Sequence, residues 1–113
     1  MILKTGDKVL IVHRRLYETD RARFFAGAVE EYDHGVARVT GYTFVRETLD
    51  GQFIRKEERR TKIFSIASGT LIVYQIRDAF VVDESRIEVR ESKMVLSDGR
   101  GFEMNLSEHA YSN

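Results

Sequence analysis

The apolar residues of this chain recur in short runs rich in Val, Ile, Phe, Tyr and Thr, separated by turn residues such as Gly, Asp and Ser. β-Branched and aromatic side chains suit a pleated surface, and turn residues at close intervals cut a chain into strands. No window carries an amphipathic stripe at helical spacing. Proline is absent, so turns fall to Gly, Asp, Asn and Ser. The chain is therefore expected to be all-β, with many short antiparallel strands.

The pattern predicts strands over residues 7–17, 23–32 and 36–49. A polar turn at 18–21 separates the first two, and Asp33-His34-Gly35 separates the next two. In the third strand Val36, Arg38, Thr40, Tyr42 and Phe44 share one face, while Ala37, Val39, Gly41 and Val45 share the other. Asp50-Gly51 is the strongest hairpin signal and returns the chain through Gln52, Phe53 and Ile54. The charge run 55–60 reads as a solvated loop or a single helical turn. Residues 62–66 and 70–76 read as strands joined by a very tight turn at Ala67-Ser68-Gly69. A short strand is expected to start at Phe80-Val81-Val82. Ile87-Glu88-Val89-Arg90 alternates cleanly, and Ser97-Asp98-Gly99-Arg100-Gly101 reads as a hairpin turn between residues 94–96 and 102–106. Residues from Ser107 onward read as a loose tail.

Several runs are apolar on both faces, among them Val9 to Val12, Leu71 to Val73 and Phe80 to Val82. One face would line a small barrel. The other needs a cover, either the C-terminal hairpin or a neighbouring subunit. The 113 residues suffice for a single compact domain, with residues 1–78 as the barrel and 79–113 as a C-terminal extension and tail.

Charge and composition narrow the function. The 18 basic and 18 acidic residues cancel, which argues against a general nucleic-acid coat but leaves room for a local site. There is no cysteine, so disulfides, thiolate zinc sites and cysteine nucleophiles are excluded, and a cytoplasmic setting is expected, although a cysteine-free chain also suits the periplasm. Apolar runs reach only about four residues against the ~20 needed to span a bilayer, and the first residues lack the pattern of a secretory signal, so no membrane association is expected.

Two stretches resemble the two halves of the Sm/LSm signature, across roughly residues 6–77. Phe25-Ala26-Gly27-Ala28-Val29-Glu30-Glu31-Tyr32-Asp33-His34-Gly35-Val36-Ala37-Arg38-Val39 is similar to the first half, a glycine-bearing strand, an aspartate turn and a departing strand. Residues 63–76, with Ser68-Gly69 at their turn, are similar to the second. The resemblance implies a small Sm-like or SH3-like barrel of about five bent antiparallel strands, followed here by a C-terminal β-hairpin extension. It further implies assembly into a homo-oligomeric ring through edge strands 62–66 and 70–76, and single-stranded RNA held by two loops. In the family an aromatic or His side chain stacks on a base, an asparagine reads its edge and an arginine before the glycine closes the other side. Carried onto this chain, the RNA-binding residues would be Tyr32, Asp33, His34, Ser68 and Gly69, with Tyr32 or His34 stacking and Asp33 orienting the loop. This chain departs from the pattern in lacking the asparagine and in having Ser68-Gly69 in place of arginine-glycine.

No catalytic set is expected. His13, His34 and His109 are far apart and lack paired-ligand spacing, so no metal or other cofactor is expected. No nucleophile elbow or phosphate-cradling glycine loop is present. Glu30-Glu31 and Glu57-Glu58 are neighbours, which a strand points to opposite faces. Lys8, Arg14, Arg15, Arg21 and Arg23 lie near Tyr17, Phe24 and Phe25, a mixture that can form a nucleic-acid platform. The preferred reading is that the phenylalanines pack in the core or an interface and the arginines pair with Glu18, Asp20 and other acids. The sequence thus leads to a non-enzymatic Sm-like homo-oligomer binding short RNA, with a protein-interaction module on an SH3-like barrel as the alternative.

Overall fold

A computed structural model describes residues 2–14, 22–47 and 51–107. The expected turns at 18–21 and Asp50, and the tail with His109, lie outside these. The described residues are all-β: β1 (Lys8–His13), β2 (Arg23–Asp33), β3 (Val36–Arg46), β4 (Phe53–Arg55), β5 (Arg60–Ser65), β6 (Leu71–Ile76), β7 (Arg86–Arg90), β8 (Lys93–Ser97) and β9 (Glu103–Asn105). Helix among them is limited to short 3-10 turns, chiefly Ile66–Ser68 and Val82–Glu84. No helix of the described residues is long and apolar enough to cross a membrane.

Six strands form one antiparallel sheet in the order β4-β3-β2-β1-β6, and β5 pairs with the N-terminal half of β3. No ladder joins β5 to β6, so the pairing does not close into a ring of strands. The sheet nevertheless curls. Three ladders separate β1 from β5, which in a flat sheet is about 14 Å at ~4.8 Å per strand. The rings of His13 on β1 and Phe64 on β5 lie 6.1 Å apart.

Two glycines permit that curl. Gly27 on β2 faces Gly41 on β3. A Cβ on Gly41 would sit 1.9 Å from the Ala26 carbonyl oxygen, and one on Gly27 would sit 2.5 Å from that of Thr40. Only hydrogen side chains allow so close a backbone approach.

The curled sheet has two apolar faces, as the continuous runs required. Inside, Val9, Ile11, Phe25, Val29, Ala37, Val39 and Phe64 form one cluster. Outside, Leu10, Val12, Phe24, Ala26, Phe44 and Ile76 form another with Phe80, Ile87, Met94, Leu96 and Leu106. The cover is thus the chain's own C-terminal segment. Burying a large apolar side chain stabilises by roughly 1.5–3 kcal/mol. Losing that at Leu10, Val12, Phe24 and Phe44 together would equal most of a domain's usual ~5–15 kcal/mol. The cover is a three-stranded sheet, β7-β8-β9, where a hairpin was expected.

Two other expectations are corrected. Phe80-Val81-Val82 forms no strand. Its backbone bonds go elsewhere: Phe80 N–H donates to the Arg77 carbonyl at 3.1 Å and Val81 N–H to the Asp98 carboxylate at 3.1 Å. Phe80 is an anchor, edge-on to Phe102 with centroids 5.2 Å apart. Nor is the charge run simply a solvated loop. Arg55 belongs to β4, its guanidinium lies 4.4 Å from the Tyr42 ring centroid, and it donates to the carbonyls of Asp83 and Ser85 at 2.8 and 3.2 Å. It thereby ties the two sheets together.

Asp98 is the latch of the cover. It is 2% exposed and accepts backbone N–H bonds from Val81, Arg100 and Phe102. Burial pushes its carboxyl pKa up, but the backbone donors outweigh this and hold the group below its ordinary value. A depressed folded pKa gives stability that is present above the unfolded value, near 3.8, and lost as pH falls through the folded one.

Two outcomes are expected. Gly41→Ala should cost at least ~2 kcal/mol, read as a lowered urea midpoint, because the backbone of β2 blocks the new methyl. Asp98→Asn should flatten the loss of stability as pH falls below about 4. An unchanged acid-unfolding profile in this variant would show that the latch is not the group that titrates.

Candidate functional site

The β2–β3 hairpin tip is a two-residue turn. His34 and Gly35 have φ of +48° and +83°, both in the left-handed region that such a turn requires. The histidine is 94% exposed and paired with the Asp33 carboxylate, itself exposed. Both sit at the rim of a shallow groove of about 390 Å³ whose walls include Glu31, Val36, Arg38 and Ile63. Arg38 pairs with Glu31 at 2.7 Å, and Ile63 is 67% exposed.

Tyr32, the other candidate for stacking, does not share the exposed side with His34. Its ring packs against the inner cluster. The cause is a bulge. Val29 opposes Val39 and Glu31 opposes Arg38, so Glu30 is an extra residue on β2. One extra residue inverts the alternation beyond it. Phe25 and Val29 point inward before the bulge, whereas Tyr32 shares the inward side after it, opposite Ala37. Glu30 accepts a bond from the Thr40 hydroxyl and Glu31 turns to Arg38, so the adjacent carboxylates do not act together.

The two turns singled out from sequence do meet. Ile66 N–H, at the start of the 3-10 turn, donates to the Gly35 carbonyl at 2.8 Å. The turn ends at Gly69, with φ +79°. Ser68 Oγ lies 2.8 Å from Thr70 Oγ1 and also accepts the Thr70 N–H, so its hydroxyl serves the turn. Sequence reasoning missed the guanidinium at this place. Arg14 follows β1, and its Nη1 donates to the Gly69 carbonyl at 2.9 Å. Residues 14 and 69 carry no shared sequence signal. The β1–β6 ladder, which sets His13 opposite Leu71, brings them together.

A second cluster lies where β1 ends. His13 and Arg23 face each other across the β1–β2 ladder. Lys62 on β5 has its ammonium 5.0 Å from the Phe25 ring centroid and donates to Thr43 Oγ1 at 3.0 Å. Burial, then Arg23, then Lys62 lower the His13 pKa below its ordinary value. Burial, then Arg23, then Arg60 lower that of Lys62. Of the front basic–aromatic mixture, Phe24 and Phe25 are core residues as expected. Arg15, Tyr17, Arg21 and the proposed partners Glu18 and Asp20 lie outside the described residues.

Among the described residues no three His, Asp or Glu side chains converge on a metal position. Comparison with protein-family models, curated proteins and solved structures finds no significant match.

Proposed function

We propose that this chain is a non-enzymatic binding module of the Sm-like, SH3-like barrel type that self-associates edge to edge into a homo-oligomer. The strand path β5-β3-β2-β1-β6, with the 3-10 turn linking its two outer members, supports the barrel reading. One observation carries the self-association. β5 and β6 each pair on one side only, and they stand at the two ends of the same curled path. Unpaired strand edges template further pairing. Two unlike edges meeting head to tail make a heterologous contact, which closes into a ring when the rotation allows. The faces are not available for this role, since the inner one is filled and the outer one is covered.

A second reading, short single-stranded RNA at the hairpin tip, is favoured by the contact between the His34 turn and the 3-10 turn, and by Arg14 at Gly69. On this reading His34 stacks on a base and Arg14 takes the role of the family's missing arginine, while Tyr32 is half-buried against the inner cluster. A protein partner in place of RNA is the remaining alternative.

Light scattering behind a sizing column should find one discrete oligomer, and Ile63→Glu on the β5 edge should reduce it to a folded monomer. A monomeric wild type would end the self-association reading. Fluorescence anisotropy with a labelled U-rich oligonucleotide at low salt should show binding that weakens about tenfold in His34→Ala and in Arg14→Ala. No binding under those conditions removes RNA and leaves the protein-interaction module.

A further inference from the structure

The outward side of the cover carries a polar groove of about 640 Å³, walled by Arg77, Arg86, Glu88, Arg90 and Glu103 and by the turn at residues 97–101. Alternation along β7 puts Arg86, Glu88 and Arg90 on this side, while Ile87 between them is buried in the core. Pairing sets Arg86 opposite Ser97 and Ser97 opposite Glu103, in one row across the cover.

Both acids of the groove are held by one arginine. Arg90 donates to Glu88 at 3.2 Å and to Glu103 at 3.0 Å. Arg86 shares a strand face with Glu88 and a row with Glu103, yet among the described residues neither it nor Arg77 forms an ion pair or donates a hydrogen bond. Contacts of another kind position these two. The Arg77 guanidinium lies 5.5 Å from the centroid of Phe102, a ring itself braced edge-on against Phe80. Arg86 lies so close over Gly99 that a Cβ there would meet its Nη2 at 1.8 Å. The remaining charges at the turn are engaged: Arg100 with Glu84, and buried Asp98 with the amides of Val81, Arg100 and Phe102.

Three guanidiniums against two carboxylates leave the groove with one positive charge, in a chain whose formal charges cancel. A single carboxylate restores the balance, whereas a phosphate dianion would overshoot it. Paired guanidinium donors match the two oxygens of a carboxylate, and side chains already positioned lose less freedom on meeting it. The groove is lined by Arg, Glu, Ser and Gly, so the body of a fitting ligand is polar too.

We propose that Arg77 and Arg86 bind the carboxylate of a small polar organic acid of single negative charge, such as a hydroxy acid, while Arg90 keeps Glu88 and Glu103 neutralised. The proposal stands apart from self-association and from RNA at the hairpin tip, since it uses neither the edges of the curled sheet nor its turns. β9 leads away from the arginine row before residue 108 is reached, with Glu103 opposite Ser97 and Asn105 opposite Val95.

The test is an NMR titration of the full chain with glycolate and, separately, inorganic phosphate, near neutral pH and at ionic strength held constant with chloride. Glycolate should give saturable shifts at the Nε–H signals of Arg77 and Arg86, and phosphate should bind no more tightly. Arg77→Gln and Arg86→Gln should each weaken glycolate binding at least about tenfold. Both side chains are exposed, so both variants should fold. Shifts that grow linearly, that chloride reproduces, or that persist at wild-type strength in either variant would overturn the proposal, as would tighter binding of phosphate. Asp50→Asn and Glu108→Gln should leave the affinity unchanged. A tenfold gain in either would show that the chain's own carboxylate occupies the groove, and would overturn it as well.

Discussion

Backbone touches backbone where Gly27 meets Gly41, and the rest of the molecule follows from that approach. Any side chain at either position would drive β2 and β3 apart. With none, the long hairpin bends hard enough for β5, three ladders from β1, to bring Phe64 against His13 and Phe25. A flatter sheet would leave those rings separated and the inner cluster open to water. The bend also gives the outer surface its convex, apolar character, since Leu10, Val12, Phe24 and Phe44 alternate with the inward residues on the same strands.

A curled sheet with two apolar faces needs a second layer, and β7-β8-β9 supplies it. The layers are joined by chemistry of two kinds. Phe80 and Leu106 bring apolar area, while Arg55, Tyr42 and Asp83 tie polar groups across the seam, with the Tyr42 hydroxyl donating to Asp83 at 3.1 Å. Asp98 fixes the segment that enters the cover to the turn that leaves β8. With both faces so occupied, the curled sheet can offer only its edges and ends to other molecules.

The parts of the fold written in local alternation were legible in the sequence. The two faces of β3 were assigned correctly from Val36 to Phe44, and the double-sided run of Val9 to Val12 announced a cover before its source was known. Gly35 and Gly69 adopt the positive φ values that turns there require. What failed was non-local. Phe80-Val81-Val82 has strand composition, but a carboxylate seventeen residues on claims the Val81 amide. Arg55 looked like one charge among six, and its partners, the Tyr42 ring and the Asp83 and Ser85 carbonyls, are all distant in sequence. The His13, Arg23 and Lys62 cluster spans fifty residues. Pairing register places two of its members together, and the third arrives only through the curl.

The extra residue at Glu30 divides β2 into two lengths that obey opposite phase. Everything before it is locked to the core by Phe25 and Val29, and everything after it takes its orientation from a separate count that starts at Glu31. The hairpin tip is therefore set by strand length as much as by residue type. Removing a single residue at the bulge would swap the displayed and hidden sides of the tip while leaving the strand's first half as it is, so a change in chain length is a more economical route to a new surface here than any exchange of side chains.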